Sequence, residues 1–337
     1  WVEDPSGQEH NSYDARSRVS WAVKRIRDPQ HGQLANFRTG FSYDSLDRLT
    51  RLQYADNDEI QYVYNPRNLT KRIFGAVAGD VVTNISYIET DQLSSIDYGN
   101  GVRTSYAYDP RQRLIDLHTH RKNDNFDLIH YGYRFDRVSN ILRIDDERSG
   151  SAVPAGDERR NTQVFNYDNL YRLTRVQYGF HLPGEADRND GSIEYRYDRI
   201  GNMLNKISDI VHVERGYSVT DLGDMAYGET GGRSNRLGRK ASEPPGPHAL
   251  TDITPRTPPL ATRSYTYDRN GNTTFLDGMT NTWDFKDRLV AVETAEMRAE
   301  YQYDYADRRI WKRVDWKTET HADTGTAHQD YVLYPDR

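Results

Sequence analysis

Aspartate recurs at one fixed place along this chain, directly after an aromatic residue. The members of this row are Asp14, Asp44, Asp109, Asp168, Asp198, Asp268 and Asp304. Carboxylates can act as general acids and bases, but that chemistry also needs a pocket and a shifted pKa, which a sequence does not show. An Asp that follows a strand-like segment can instead accept hydrogen bonds from backbone amides ahead of it. We therefore favour a structural role in turns and predict no enzyme activity for this region.

Histidine is concentrated in one short segment of the chain. His118 and His120 are two residues apart, with Asp116 before them and His130 after them. Residues two apart on a strand face the same way, and imidazole with carboxylate suits zinc. The three histidines are thus the candidate metal ligands. Their spacing matches no known metalloenzyme motif, so we favour a polar hairpin end and predict neither a metal nor a cofactor.

Arginine recurs at a second fixed place, four residues after the aspartate. The examples are Arg18, Arg48, Arg113, Arg172, Arg288 and Arg308. If the repeats stack, each Arg can pair with an Asp or stack on an aromatic ring of the next repeat. Binding of an anionic ligand is the less favoured alternative. The sequence has no Gly-rich phosphate loop, nucleophile elbow or dinucleotide fingerprint.

These aspartates and arginines belong to a seven-residue unit that recurs along nearly the whole chain. We call it the repeat phrase and number its positions: an aromatic residue, Asp, two free positions, a turn-permissive residue, a polar or basic residue and an apolar residue. Clear copies begin at Tyr43, Tyr108, Tyr167, Tyr197 and Tyr267. More divergent copies begin at Tyr13, Tyr64, Tyr87, Phe135, Trp283 (with Asp284) and Tyr303. Successive copies are mostly 16 to 32 residues apart, which predicts stacked supersecondary units.

Each repeat phrase predicts a strand, a tight turn and a second strand. Aromatic residues stand two apart before the turn, as in Tyr106 and Tyr108, so both rings lie on one face of a strand. Position 7 then resumes an extended run. An Asn-Gly pair within Tyr98–Val102 predicts a hairpin that returns the chain to the next repeat phrase.

Position 5 is where a residue in the left-handed conformation would close the turn. Gly201 and Gly271 suit this conformation without strain. Tyr171, Gln112 and Ser139 occupy the same position and argue against the left-handed conformation in those copies, or indicate a turn of another form. Because a single hairpin cannot bury its aromatic face, the hairpins must stack edge to edge. The sequence therefore predicts an all-β fold of stacked antiparallel hairpins that form a twisted sheet.

Composition excludes several functional classes. The formal net charge is −6, and the 45 basic and 51 acidic residues are interspersed, so no basic stripe suits a nucleic acid. No apolar run is long enough to span a membrane. The absence of Cys excludes a disulfide scaffold and a cysteine nucleophile.

One segment lacks the regular spacing of the repeat phrase, and we expect it to leave the sheet. Over residues 205–263 the repeat phrase disappears and Gly, Pro and Ser accumulate, as in Gly231–Asn235 and Ser242–His248. We interpret this as an irregular insertion within one repeat region that covers residues 1–337. Gly246–Ala249 is interpreted as a turn that anchors the insertion, in preference to a contact with cargo or shell. Both chain ends suggest a piece of a longer polypeptide, and Leu289–Arg298 is predicted as a hairpin in preference to a helix.

The repeat phrase resembles the YD repeats, also called Rhs repeats. These occur in bacterial Rhs polymorphic toxins, in the B and C components of Tc toxin complexes, in wall-associated bacterial proteins and in teneurins. A more specific resemblance, to the segment before the core of Rhs and Tc-type proteins, is carried by Gly246–Thr251, Tyr265–Asn272, Thr282–Asp284 and Arg288–Val290.

The resemblance implies a sheet that spirals into a hollow shell around a C-terminal toxin. We accordingly expect a secreted, non-catalytic shell segment whose partners are the enclosed effector polypeptide, the remaining shell segments and a secretion apparatus or Tc-toxin partner. The family's self-cleaving core, with its paired aspartates, would lie beyond Arg337.

Two other functions compete with the shell. The main alternative is an extracellular adhesion module of the wall-associated or teneurin type, in which exposed rings bind carbohydrate or protein. An enzyme within the irregular insertion has the least support.

Overall fold

The structure is a computed structural model that describes residues 1–4, 7–27, 32–77, 79–187, 190–211, 216–218, 220–228, 246–257, 261–320 and 327–334. Within these ranges the chain forms 26 β-strands, and no helix is long and apolar enough to cross a membrane. The strands are β1 (Val2–Asp4), β2 (Gly7–Tyr13), β3 (Val19–Arg27), β4 (Leu34–Tyr43), β5 (Leu49–Gln53), β6 (Glu59–Tyr64), β7 (Thr70–Gly75), β8 (Gly79–Tyr87), β9 (Leu93–Tyr98), β10 (Val102–Tyr108), β11 (Leu114–Arg121), β12 (Asp127–Phe135), β13 (Ile141–Asp146), β14 (Thr162–Tyr167), β15 (Leu173–Gly179), β16 (Gly191–Tyr197), β17 (Met203–Ser208), β18 (Gly223–Tyr227), β19 (Leu250–Thr254), β20 (Arg263–Tyr267), β21 (Thr273–Leu276), β22 (Met279–Trp283), β23 (Leu289–Glu293), β24 (Met297–Tyr303), β25 (Arg309–Thr320) and β26 (Ala327–Leu333).

The strands belong to two compact units, which are described separately. One unit comprises Thr39–Arg196 and Lys206–Asp221. In it each strand from β4 to β16 pairs antiparallel with its neighbour in sequence. Its buried apolar residues include Val82, Val176 and Ile193.

The other unit comprises Trp1–Arg38, Tyr197–Asn205 and Leu222–Arg337. Here β1, β2 and β3 pair in succession, and β18 to β26 form a second series of sequential antiparallel pairs. A cluster of buried apolar residues lies on β23, β24 and β25. It contains Val292, Ala299 and Val314, with Met279, Leu289, Met297, Tyr301 and Trp316 packed against it.

The hairpins built by the repeat phrase share one register. Position 1 pairs with position 7, and a bulge precedes the aromatic residue, which increases the local twist. The pairs are Tyr13 with Val19, Tyr43 with Leu49, Tyr64 with Thr70, Tyr87 with Leu93, Tyr108 with Leu114, Phe135 with Ile141, Tyr167 with Leu173, Tyr267 with Thr273, Trp283 with Leu289 and Tyr303 with Arg309. The intervening residues, positions 2 to 6, form what we call the repeat turn.

The residue at position 5 has a left-handed backbone conformation even where its residue type disfavours that conformation. Gly201 and Gly271 have φ of 96° and 94°. Tyr171, Gln112 and Ser139 also have positive φ, of 60°, 62° and 78°. The expectation that these three residues disfavour the left-handed conformation, or change the form of the turn, is therefore wrong. The hydrogen bonds of the repeat turn offset the cost of about 1–2 kcal/mol for a left-handed L-residue.

The predicted hairpins outside the repeat turns are also present. Leu289–Arg298 is a β-hairpin, since β23 and β24 pair antiparallel across Thr294. In the loop between β9 and β10, Gly101 has a φ of 82° and donates from its N–H to the carbonyl of Tyr98. The Asn-Gly pair therefore forms a hairpin in which the glycine takes the left-handed position.

A further hairpin of the repeat type lies inside the segment 205–263. Tyr227 pairs with Leu250 across a bulge, as positions 1 and 7 do elsewhere. The Gly228 N–H donates to the carbonyl of Ala249 at 3.0 Å, as the Asp N–H of a repeat turn donates to position 6. Residues 229–245, which include Gly231–Asn235 and most of the predicted Pro-rich stretch, lie outside the described residues.

Candidate functional site

The repeat turns place the recurring aspartates against backbone amides. Asp109 Oδ1 accepts hydrogen bonds from the N–H groups of Arg111 and Arg113 at 2.9 and 3.0 Å. Asp109 Oδ2 accepts from Arg113 Nε at 2.7 Å, and the Gln112 N–H donates to the Asp109 carbonyl at 2.8 Å. The same pair of backbone hydrogen bonds is accepted by Asp14, Asp44, Asn65, Asp136, Asp168, Asp198, Asp268, Asp284 and Asp304.

These contacts favour the ionised form of the carboxylate at Asp44 and Asp109. The hydrogen bond from the Arg48 side chain lowers the pKa of Asp44 below its ordinary value of 3.8, although burial acts in the opposite direction. For Asp109 the backbone N–H of Arg113 is the leading cause of a lowered pKa. A general acid or base works best with a pKa near the operating pH. A lowered carboxylate pKa is therefore the reverse of what proton transfer at neutral pH requires.

In several repeat turns the side chain at position 6 ties the turn to the next one. Besides its bond to Asp44, Arg48 donates from Nη1 to Asn68 Oδ1 at 2.8 Å, and its guanidinium carbon lies 4.6 Å from the centroid of the Tyr64 ring. The ion pair and the ring stacking, which the sequence left as alternatives, thus occur together in one side chain. Arg288 does the same with Asp284, Asp307 and Tyr303, and Arg113 with Asp109, Asp136 and Phe135.

The aromatic residue at position 1 makes a second tie between neighbouring repeats. The Tyr64 hydroxyl donates to the carbonyl of Leu49, position 7 of the preceding repeat phrase, at 2.7 Å. Equivalent bonds join Tyr87 to Thr70, Tyr167 to Ile141, Tyr227 to Met203, Tyr267 to Leu250 and Tyr303 to Leu289. Trp283 donates from its indole nitrogen to the carbonyl of Thr273. The ring packs on the sheet while its polar end completes a backbone bond.

Gly246–Ala249 forms a turn that contacts a neighbouring repeat turn. His248 Nδ1 lies 2.7 Å from Asn202 Oδ1, and Asn202 Nδ2 donates to the Pro247 carbonyl at 2.8 Å. Asn202 stands at position 6, so it makes the tie that Arg makes elsewhere.

A buried arginine with no sequence signal of its own organises the loop after β13. Arg160 is 1% exposed, and its guanidinium donates to the carbonyls of Asp146, Arg148 and Ser149 at 3.0–3.3 Å. The Asp146 carboxylate lies beside it and pairs with Arg148 at 2.5 Å. Nothing in the local sequence distinguishes Arg160 from exposed arginines.

The histidine segment brings imidazoles and carboxylates together. His118 on β11 is directly opposite His130 on β12, and their rings stack with centroids 4.1 Å apart. His118 Nε2 lies 2.8 Å from Asp127 Oδ1. His130 Nε2 lies 3.1 Å from Asp116 Oδ2 and 3.6 Å from Glu147 Oε2.

His120 has a different environment from the other two histidines. Its ring lies 4.6 Å from that of His118, and burial lowers its pKa. Of the described residues, two groups have ligand atoms that lie close enough together to hold a metal ion; one is His118, Asp127 and His130, the other is Asp116, His130 and Glu147. His120 belongs to neither group. The sequence predicted Asp116 but missed Asp127 and Glu147, because only the strand register brings them to the histidines.

The fold is similar to that of solved Tc toxin structures. The TcdB2-TccC3-Cdc42 crystal structure covers 98% of this chain with a TM-score of 0.70 and 16% identity. The Tc holotoxin pore of Photorhabdus luminescens, determined with a TccC3 mutant, covers 98% with a TM-score of 0.69 and 16% identity. TcdB2-TccC3 without its hypervariable C-terminal region covers 98% with a TM-score of 0.66 and 17% identity.

The match concerns a small part of those proteins, since this chain spans 16% of the length of each of these solved chains. No family model and no curated protein matches it. The likeness shows that the chain has the all-β fold found in the Tc toxin structures. The predicted fold class and the resemblance to YD-repeat shell proteins are thereby confirmed at the level of fold.

Proposed function

We propose that this chain is a structural segment of the YD-repeat shell of a Tc- or Rhs-type bacterial toxin, and that the shell encloses a toxic effector polypeptide. The observation that carries the proposal is the shared fold over 98% of the chain at a TM-score of 0.70. In this proposal residues 1–337 form one repeat region, and the insertion at 205–263 contains the hairpin of Tyr227 and Leu250. The parent protein is secreted, and the partners of this chain are the effector, other shell segments and a delivery apparatus or Tc-toxin partner.

The chemistry of the repeats supports a structural and non-catalytic role. The recurring Asp carboxylates are engaged by backbone amides, and the position-6 side chains tie successive turns. Both sets of groups therefore make their hydrogen bonds within the sheet. The wall of a shell around a polypeptide needs polar groups that are already hydrogen-bonded, because it must enclose its contents without reacting with them.

Imaging the full-length gene product by electron cryomicroscopy tests the proposal. We expect a closed, hollow sheet that contains residues 1–337 in its wall and density for a polypeptide inside it. Treatment with a broad-specificity protease should leave the enclosed polypeptide intact, whereas the same polypeptide expressed alone should be digested. An open curved sheet, or equal digestion of the two samples, would contradict the proposal.

The adhesion alternative is less well supported by the indole groups. The Trp21 ring stacks on His10, and the Arg38 guanidinium lies over it, each 5.3 Å away. A ring contacted in this way is poorly placed to stack on a sugar, whereas Trp1 is 72% exposed. A glycan array distinguishes the two functions. A shell segment should bind no glycan selectively, whereas an adhesion module should bind particular glycans.

A further inference from the structure

We propose that His118, Asp127 and His130 bind one divalent transition-metal ion, with zinc the preferred ion, and that the neighbouring carboxylates of Asp116 and Glu147 add negative charge to the site. The site lies within the unit that contains β4 to β16. His118 and Asp116 lie on β11, His130 and Asp127 lie on β12, and Glu147 follows the last residue of β13. The proposal is independent of the shell function and concerns residues that the repeat phrase does not use.

The spacing of the donor atoms suits a small metal ion. At bond lengths of about 2.0–2.2 Å, two ligands of a tetrahedral zinc ion are roughly 3.3–3.6 Å apart. The ligand atoms of His118, Asp127 and His130 all lie within 4.8 Å of one another, and the separation of His118 Nε2 from Asp127 Oδ1 is 2.8 Å. His130 Nε2 lies 3.1 and 3.6 Å from the carboxylate oxygens of Asp116 and Glu147. Small side-chain shifts would therefore be enough to admit an ion between them. Two imidazoles with carboxylates are a donor set that favours zinc or a neighbouring transition metal over calcium or magnesium.

The charge of the cluster also points to a cation. Three carboxylates surround two imidazoles, and in the part of the chain that the structure describes none of these carboxylates pairs with Lys or Arg. This contrasts with the repeat turns, where the carboxylate regularly pairs with an Arg four residues ahead. A bound divalent ion would supply the positive charge that the cluster lacks.

Two features of the backbone hold the ligands in place. A Cβ on Gly132 would lie 2.6 Å from Glu147 Oε1, so the glycine leaves the space that the Glu147 carboxylate fills. The Ser149 N–H donates to Asp127 Oδ2 at 2.9 Å, which leaves Oδ1 directed at His118. Such outer contacts orient metal ligands in known sites. An ion at this place would join β11 and β12 to the start of the loop that Arg160 organises.

Calorimetric titration of the chelator-treated chain with zinc chloride at pH 7 tests the site. We expect one zinc ion per chain, and we expect cobalt(II) to bind with the visible absorption of a tetrahedral nitrogen–oxygen site. His118→Ala and His130→Ala should each weaken zinc binding at least tenfold. His10→Ala removes an imidazole from the other unit and should bind as the unmodified chain does.

Milder variants separate loss of the site from loss of the fold. Glu147 is 43% exposed at its side chain, so Glu147→Gln should fold normally, as should the isosteric Asp127→Asn. Both should weaken zinc binding while their circular dichroism spectra stay unchanged. Absence of heat above buffer dilution would overturn the proposal. Unchanged zinc affinity in a folded His130→Ala variant would also overturn it. The cluster would then consist only of histidine–carboxylate pairs without a metal site.

Discussion

The position-2 side chain of a repeat turn acts mainly through one oxygen. In the turn that begins with Asn65, the amide Oδ1 accepts from Arg67 and Leu69 at 2.9 and 3.0 Å, so the two backbone bonds form without a negative charge. Asp adds to this a second oxygen that engages the position-6 side chain, as Oδ2 of Asp109 engages Arg113. The recurring aspartate is thus explained by backbone geometry and by its second oxygen, which accepts from Arg or Asn at position 6.

This division predicts unequal effects of two substitutions at Asp109. Asp109→Asn keeps the acceptor for Arg111 and Arg113 and loses only the charged pairing, so we expect a small decrease in the melting temperature. Asp109→Ala leaves both backbone N–H groups without this acceptor and should lower the melting temperature at least twice as far. Thermal unfolding followed by circular dichroism measures both, and equal decreases would contradict the assignment.

The Tyr64 hydroxyl gives a second prediction at the residue scale. Tyr64→Phe removes the bond to the Leu49 carbonyl and keeps the ring, so unfolding should become easier by about 0.5–1.5 kcal/mol. Tyr13→Phe is the matched control, because Tyr13 is also at position 1 but is 60% exposed. Urea unfolding should place the control within about 0.5 kcal/mol of the unmodified chain. A loss as large in the control would show that the carbonyl bond is not the cause.

At the scale of the hairpin, the repeat turn imposes its backbone shape on whatever residue stands at position 5. Ser17, Asp47, Asn68 and Tyr171 all have φ near 60°, although only Asn and Asp tolerate the left-handed region easily. The turn is therefore held by its bonds and by strand pairing more than by the preference of this residue. Glycine removes the strain, as at Gly201.

Substitution of Gly201 should measure the strain at position 5. A Cβ there would meet no atom within 4 Å, so any loss of stability comes from the backbone conformation alone. Gly201→Val should destabilise the chain by about 1–2 kcal/mol, the cost of a left-handed L-residue. Gly201→Asn should cost clearly less, because Asn adopts this region more readily. Similar losses for the two variants in urea unfolding would contradict this explanation.

A hairpin can be predicted from the sequence when the residues that indicate its strands and turn lie close together in the chain. Around Tyr108 the aromatic alternation, the Asp and the turn lie within a few residues, so strand, turn and strand were predictable. The hairpin of Tyr227 and Leu250 was not, because Gly228 replaces the Asp and the two paired residues are far apart in sequence.

The candidate metal ligands were only partly predictable for the same physical reason. His118, His130 and Asp116 attract attention by residue type. Asp127 and Glu147 join them only through strand register and through the path of the chain after β13, neither of which is encoded nearby.

At the scale of the whole chain, one repeat turn contacts residues from the other end of the sequence. Within the unit that contains both segments, Arg308 forms an ion pair with Glu9, and Lys24 Nζ lies 3.5 Å from Asp304 Oδ2. Asp304 is 6% exposed, and burial is the leading cause of a lowered pKa at Lys24. The turn residues that tie neighbouring repeats elsewhere thus also join segments about 300 positions apart.

Because the same carboxylate contact is repeated along the chain, acid should destabilise the whole fold cooperatively. The pKa values of Asp14 and Asp44, lowered by their Arg partners, and those of Asp109 and Asp168, lowered chiefly by backbone N–H groups, lie below the ordinary value of 3.8. A group with a lowered folded-state pKa stabilises the fold above its unfolded pKa, and that stability is lost as the pH falls through the folded value.

We therefore expect the urea midpoint to change little between about pH 7 and pH 5 and to fall steeply below about pH 4. The steepness should correspond to uptake of several protons on unfolding, since each of these turn aspartates takes up its proton more readily in the unfolded chain. Urea titrations at half-unit pH steps measure this dependence. A midpoint that stays constant down to about pH 2.5 would contradict it, and a fall centred near about pH 6 would assign the acid sensitivity to histidines instead of the repeat turns.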